Sequence, residues 1–170
     1  MAETIEAVIG LGANLGQPVV AFEFATHRLG AVCDIVCHSK LYQSDAIGPE
    51  QPDFTNAAVR VSFPGSPQAL LVQLLRIEQD FGRTRKQRWG PRTLDLDLLW
   101  IDGVAVCTPQ LTVPHPRLHE RAFALLPLLD VAPQAASEEM TYRHALPQVQ
   151  EQRIVALAKP PSPWLPAIDG

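Results

Sequence analysis

The sequence predicts an α+β fold in which helices pack on one face of an antiparallel sheet, and three observations carry that prediction. Ala57, Val59, Val61 and Phe63 alternate with Ala58, Arg60 and Ser62, and Leu94, Leu96 and Leu98 alternate with Asp95 and Asp97; a period of two marks a strand with unlike faces. Between these stretches Leu71, Leu74, Leu75 and Phe81 recur at helical spacing. The segments then run β-α-β-β-α-β with a C-terminal extension, an order that suits a sandwich of the ferredoxin-like type.

Each element has its own warrant. Residues 5–11 read as a short apolar strand ending in the glycine-punctuated turn GLGANLG. A helix over 18–29 follows, with Pro18 in its first turn and Phe22, Ala25 and Leu29 on its apolar face. A second strand spans 32–39 and runs on through Leu41 and Tyr42. Residues 44–55, SDAIGPEQPDFT, form a polar loop with two prolines. The alternation over 57–63 is that of a half-buried strand. Ser66 and Pro67 are N-cap and first position of a second helix, which Gly82 closes. Beyond the 94–98 strand, Asp102-Gly103 signals a hairpin to Val104, Ala105 and Val106. The segment LTVPHPRLHE leads into a helix over 122–130 that Pro127 should restrict or break. From Ser137 the pattern weakens; 146–157 reads as helical and KPPSPWLP as extended. The chain reads as one domain over 1–170, with 137–170 as the extension.

The chemistry concentrates at RWGPRTLDLDLLW, residues 88–100. Successive strand side chains point to opposite faces, so Asp95 and Asp97 share one face while the leucines share the other. Their Cα atoms lie roughly 6.5–7 Å apart at about 3.3 Å rise per residue, close enough to converge on a hard cation or a pair. Just upstream, Arg83, Arg85, Lys86, Arg88 and Arg92 supply five positive charges without an acid among them. Carboxylates beside a polycationic loop suit a magnesium-bound polyphosphate, the acids holding metal and the arginines holding phosphate. Like charges also favour an exposed loop that orders over an anion, and a solvated loop would not ordinarily carry the indole of Trp89.

Composition sets the outer bounds. A chain of 170 residues, 46% hydrophobic and 19% charged, has the make-up of an ordinary globular domain. The net charge is −4, so with five cations inside 83–92 the rest sums to −9. Positive charge focused this way favours a local anionic ligand over a broad nucleic-acid footprint. Cys33, Cys37 and Cys107 form no CxxC pair and read as reduced thiols. No signal peptide and no apolar run of about 18 residues is evident. A cytoplasmic monomer acting on small molecules, with no nucleic-acid or membrane partner, is the expectation.

Other motifs carry less. GLGANLG has neither the GxGxxG spacing nor a Gly-Lys pair, so a tight turn is its expected role rather than a phosphate cradle. Glu78 falls on the apolar face of its helix, where a carboxylate is costly unless paired; the arginines of the next loop are candidate partners. His115 and His119 are four apart, but Pro114 and Pro116 disfavour a zinc-binding helix, leaving His115 as a phosphate donor or a structural histidine. Phe54 and Phe123 read as core aromatics by composition alone.

Taken together the residues resemble one family closely, the 6-hydroxymethyl-7,8-dihydropterin pyrophosphokinases of folate biosynthesis. The matching segments are GLGANLG (10–16), SKLYQSDAIGPEQPDFTNAAV (39–59), IEQDFGRTRKQRWGPRTLDLDLLW (77–100) and LTVPHPRLHERAFALLPLLDVAP (111–133), about half of the chain in unbroken order. The resemblance implies transfer of the diphosphoryl group of ATP to the hydroxymethyl oxygen of the pterin, with AMP as the other product. It implies two Mg2+ ions on Asp95 and Asp97, with Arg83 and Arg92 as catalytic arginines. By the same resemblance Arg85, Arg92, His115 and Arg121 contact the triphosphate, while Glu78, Leu98 and Thr112 lie near the nucleotide. The pterin site would comprise Phe54 and Phe123 stacked on the ring, Asn56 on its pyrimidine edge, Ser44, Asp45 and Ile47 close by, and Trp89 closing over it. Gln110 stands where some members carry a basic residue before LTVPH, and Pro116 where some carry an aromatic. Two rival classes fit worse. A nucleic-acid-binding module would need a broad basic surface, and a magnesium-dependent phosphohydrolase would use the acids but not the aromatic pair or Asn56.

Overall fold

The computed structural model describes residues 3–14, 17–44, 53–82 and 94–157. Strand β1 (Thr4–Ala13) is the centre of the sheet. It pairs antiparallel with β4 (Phe54–Pro64) on one side and with β5 (Asp95–Ile101) on the other. The far edge of β4 carries two short strands in succession, β2 (Asp34–His38) and β3 (Tyr42–Ser44). With β2 and β3 counted as one strand, the spatial order is fourth, first, third, second, every pairing is antiparallel, and helices α1 (Pro18–Gly30) and α2 (Pro67–Gly82) provide the crossovers. This is the α+β, ferredoxin-like architecture expected.

Both crossover helices lie on one face. Phe22, Ala25 and Leu29 of α1 and Leu70, Leu74 and Ile77 of α2 are buried with Ile9, Leu11, Val59, Val61, Leu96 and Leu98 in one core. The buried row of α2 steps by four and three from Leu70, whereas Leu75, expected inside, is 48% exposed; it falls on the far side of the cylinder from that row. Ser66 caps α2 as predicted, its Oγ accepting from the Ala69 N–H at 3.1 Å. Outside the core, Arg28 of α1 bridges to Asp80 of α2 at 2.7 Å.

The second face departs from expectation. Helix α3 (Ala122–Val131) covers part of it, burying Leu125, Leu128 and Val131 with Val8, Ala58, Leu99 and Trp100 in a second core. Strand β4 is therefore buried on both faces over 56–59 rather than half-buried, and Ala58 is small enough to let a helix approach. Pro127 does not break α3. It removes one N–H and costs about 3 kcal/mol. Burying Leu125, Leu128, Leu129 and Val131 contributes about 1.5–3 kcal/mol each, and that sum wins.

Three further boundaries differ. The strand expected over 32–42 is interrupted because Ser39 Oγ accepts the Ala58 N–H at 2.8 Å and Lys40 N–H turns to Asp130 at 3.1 Å. The Asp102-Gly103 turn forms, with Gly103 at φ +69°, but Val104 makes only a single bridge to Ile101. The next strand, β6 (Val106–Cys107), pairs instead with β7 (Thr112–Val113). Residues 146–157 form one helical turn, α4 (Leu146–Val149), and then β8 (Ile154–Ala156), which adds to the sheet beside β3.

Candidate functional site

The acids stand where strand alternation put them. Leu94, Leu96 and Leu98 enter the first core, while Asp95 is half-buried and Asp97 exposed. A bulge follows: Val8 pairs with Trp100 and Ile9 with Leu98, so Leu99 is the extra residue. Leu99 and Trp100 then both join the second core. Asp95, Asp97 and Leu99 therefore share the face that α3 partly covers.

Across the ladder from the acids lie glycines. Gly12 pairs with Asp95 and Gly10 with Asp97 on one side, and with Asn56 and Ala58 on the other. The GLGA that reads as a turn is thus the end of β1, and neither glycine has the positive φ a tight turn would use. Their requirement is close approach: a Cβ on Gly10 would lie 3.0 Å from Leu99 Cδ1, and one on Gly12 would lie 3.1 Å from Asn56 Oδ1. Two strand positions without side chains separate the carboxylates from Asn56 on one sheet face. Sequence reasoning missed this role, although glycines two apart beside acids two apart were its visible signal.

Asn56 is 6% exposed, and its Nδ2 donates to Ser44 Oγ at 3.0 Å. That bond orients the amide and ties β4 to β3. Phe54 is half-buried two residues before Asn56, on the same face. Phe123, in the first turn of α3, packs against the second core, and the Arg121 guanidinium lies 5.6 Å from its ring centroid, a cation–π contact.

His115 joins β5 through its backbone, its N–H donating to Leu99 O at 2.9 Å. Its Nδ1 accepts the Arg117 N–H at 3.2 Å, so the neutral ring carries its proton on Nε2. Burial lowers its pKa, Arg121 and Arg117 lower it further, and Asp95 opposes them. Thr112 is exposed on β7. Leu98 is 4% exposed in the first core, turned away from the acids, so only its backbone is left to meet a ligand. The other expected site residues, Asp45, Ile47, Arg83, Arg85, Trp89 and Arg92, lie outside the described residues.

Glu78 does not wait on the loop arginines for a partner. Its Oε2 accepts the Leu96 N–H at 2.6 Å, which brings it against the di-acid strand. Burial raises its pKa to about 7; the Leu96 bond works against this, and Asp95 and Asp97 add to it. A carboxyl with a raised folded-state pKa stabilises the fold at low pH and loses that contribution as pH rises through the folded value. Without divalent cation, stability should therefore fall between about pH 4.5 and 7 and level off above. Glu78→Gln should flatten that slope by several degrees of melting temperature, and an unchanged slope by calorimetry would contradict the coupling.

The donor set fits magnesium. Two carboxylate groups share one face of β5, and Mg2+ commonly takes one or two carboxylates and completes its octahedron with water and substrate phosphate. Among the described residues no three His, Cys, Asp or Glu side chains gather at one point. No helix among the described residues is long and apolar enough to cross a membrane.

Residues 8–133 match the model of the family described as 7,8-dihydro-6-hydroxymethylpterin-pyrophosphokinase. A 2-amino-4-hydroxy-6-hydroxymethyldihydropteridine pyrophosphokinase of Synechocystis is 44% identical over 129 residues, covering 75% of this chain and 66% of that protein. The protein of the same name from Haemophilus influenzae is 40% identical over 131 residues, covering 75% and 82%. Among solved structures, the crystal structure of wild-type Plasmodium falciparum HPPK-DHPS superposes with a TM-score of 0.69 at 15% identity, over 89% of this chain and 46% of that one. The chain thus spans less than half of that longer structure and about two thirds of the Synechocystis relative. The matched span contains the di-acid strand, both strand glycines, Asn56, His115, Arg121 and Phe123, and the chain belongs to the 7,8-dihydro-6-hydroxymethylpterin-pyrophosphokinase family.

Proposed function

We propose that this chain transfers the diphosphoryl group of ATP to the hydroxymethyl oxygen of 6-hydroxymethyl-7,8-dihydropterin, releasing AMP, as a step of folate biosynthesis. The observation that carries the reading is the single sheet face on which Asp95 and Asp97 lie across two glycines from a buried, oriented Asn56. A flat ligand against Asn56 can reach toward the acids without meeting a side chain at position 10 or 12.

Phosphoryl transfer depends mainly on positioning and charge neutralisation, and the chain's residues divide those tasks. Asp95 and Asp97 would hold two magnesium ions, which when bound offset the charge of the phosphates and of the oxygens that attack and leave. Arg121 and the Nε2–H of His115 would bind phosphate oxygens, with Arg83, Arg85 and Arg92 completing the anion site by forked hydrogen bonds. Glu78, Leu98 and Thr112 would flank the nucleotide, Leu98 through its backbone. Asn56, whose Ser44 bond uses one of two amide hydrogens, would read the pyrimidine edge. Phe54 and Phe123 would stack on the ring, with Ser44, Asp45 and Ile47 beside it and Trp89 above.

The test is a product assay with magnesium, ATP and the pterin. AMP formed one-for-one with a diphosphorylated pterin is expected. ADP would mean single phosphoryl transfer, and AMP with pyrophosphate but no pterin consumption would mean a hydrolase; either would overturn the reading.

A further inference from the structure

Helix α3 presents Arg121 and Phe123 at its N-terminus, yet it has no side-chain cap of its own. The Arg121 carbonyl starts the helix by accepting from Ala124 and Leu125 at 3.1 and 2.9 Å. The peptide groups on either side of Arg121 are held from elsewhere. Gln152, between α4 and β8, donates its Nε2 to Glu120 O at 2.7 Å and accepts the Ala122 N–H on Oε1 at 2.8 Å. In an extended residue the carbonyl before it and the N–H after it point to the same side. Arg121 is extended, at φ −122° and ψ 110°, and one primary amide spans both groups. Fixing both flanking peptides fixes the backbone angles of Arg121, and hence the direction in which its side chain leaves.

The segment carrying Gln152 is itself anchored. Its N–H donates to Val149 O at 3.0 Å, β8 pairs with β3, and Leu157 N–H donates to Leu41 O at 2.9 Å. Gln152 is itself exposed, on the wall of an open pocket of about 400 Å³ that it shares with Leu126, Leu146 and Ile154. Its two hydrogen bonds, rather than close packing, hold the amide in place.

We propose that Gln152 is a positioning residue for Arg121, clamping the backbone on both sides of it so that the C-terminal segment shapes the nucleotide site. The inference rests on the functional reading above, in which Arg121 binds the triphosphate. Gln152→Met keeps the length and removes the amide. Calorimetry with magnesium and a non-hydrolysable ATP analogue compares the parent, Gln152→Met, Arg121→Ala and the double variant. If Arg121 holds its binding posture only a tenth of the time, Gln152→Met weakens nucleotide binding about tenfold. It should leave pterin binding within about twofold and add nothing in the Arg121→Ala background, since both changes act on one interaction. Gln152→Glu, which keeps the acceptor for Ala122 but turns a carboxylate oxygen toward the Glu120 carbonyl, should lose nucleotide affinity at least as far and serves if the Met variant folds poorly. Equal losses with and without Arg121, equal losses of nucleotide and pterin, or parent-like binding by both variants would overturn the proposal. A parent protein that makes no pterin-dependent AMP defeats the functional reading; one that turns over while the cycle is additive defeats only the role of Gln152.

Discussion

Asp97→Ala should lower the rate of pterin-dependent AMP formation by at least about 10²-fold, the scale on which loss of charge stabilisation in a transition state is felt. The fold should survive, because Asp97 is exposed and the core side chains of its strand are its leucine neighbours. Asp95→Ala should cost as much in rate but differ in stability. Asp95 and Asp97 both help keep the Glu78 carboxyl protonated, and Asp95 also bonds to it, so removing Asp95 should lower the pH at which Glu78 ionises. Steady-state rates at saturating magnesium together with unfolding scans in chelator separate the two effects. Near-normal turnover in both variants would remove the metal assignment, whatever the scans report.

Asn56→Leu should abolish most pterin affinity, by about 10²-fold or more, while leaving nucleotide binding within a few-fold. Leucine keeps the branching at Cγ but is bulkier and offers no hydrogen bond, and each buried ligand group left unpaired costs about 1–3 kcal/mol. It also strands Ser44, whose hydroxyl accepts from the Asn56 amide, and it presses methyl groups toward Gly12, already in close approach at this position. Calorimetric titration with the pterin reads the effect directly. A pterin dissociation constant within threefold of the parent would take Asn56 out of the recognition site and leave it as a structural link between β3 and β4.

The two variants draw on different kinds of information. That Asp95 and Asp97 share a face opposite three leucines follows from a period of two, which depends on nothing but backbone geometry. The same local logic yields the Ser66 cap, the Gly103 turn, the apolar stripe of α1 and the order of crossover helices, and hence the sheet. It fails where the deciding contact is distant in sequence. Gly10 and Gly12 look like turn residues until the ladder sets them against Asp97 and Asp95 on one side and Ala58 and Asn56 on the other. Pro127 looks like a helix breaker until the second core shows how much apolar surface α3 buries there. The 146–157 stretch has helical composition, yet only an open edge at β3 makes Ile154–Ala156 a strand. Glu78 looks unpaired until the Leu96 N–H reaches it.

The family was legible in short runs such as RWGPRTLDLD and LTVPHPRLHERAF, because motif residues stand close together in the chain. The platform that joins them was not. It needs three strands in register and a bulge at Leu99, and register and long-range pairing are properties of the folded ensemble of contacts, which no local window contains. The sequence by itself determined which residues carry charge and which faces are apolar; the tertiary structure alone decided that Asn56, the two glycines and the two acids meet on one face.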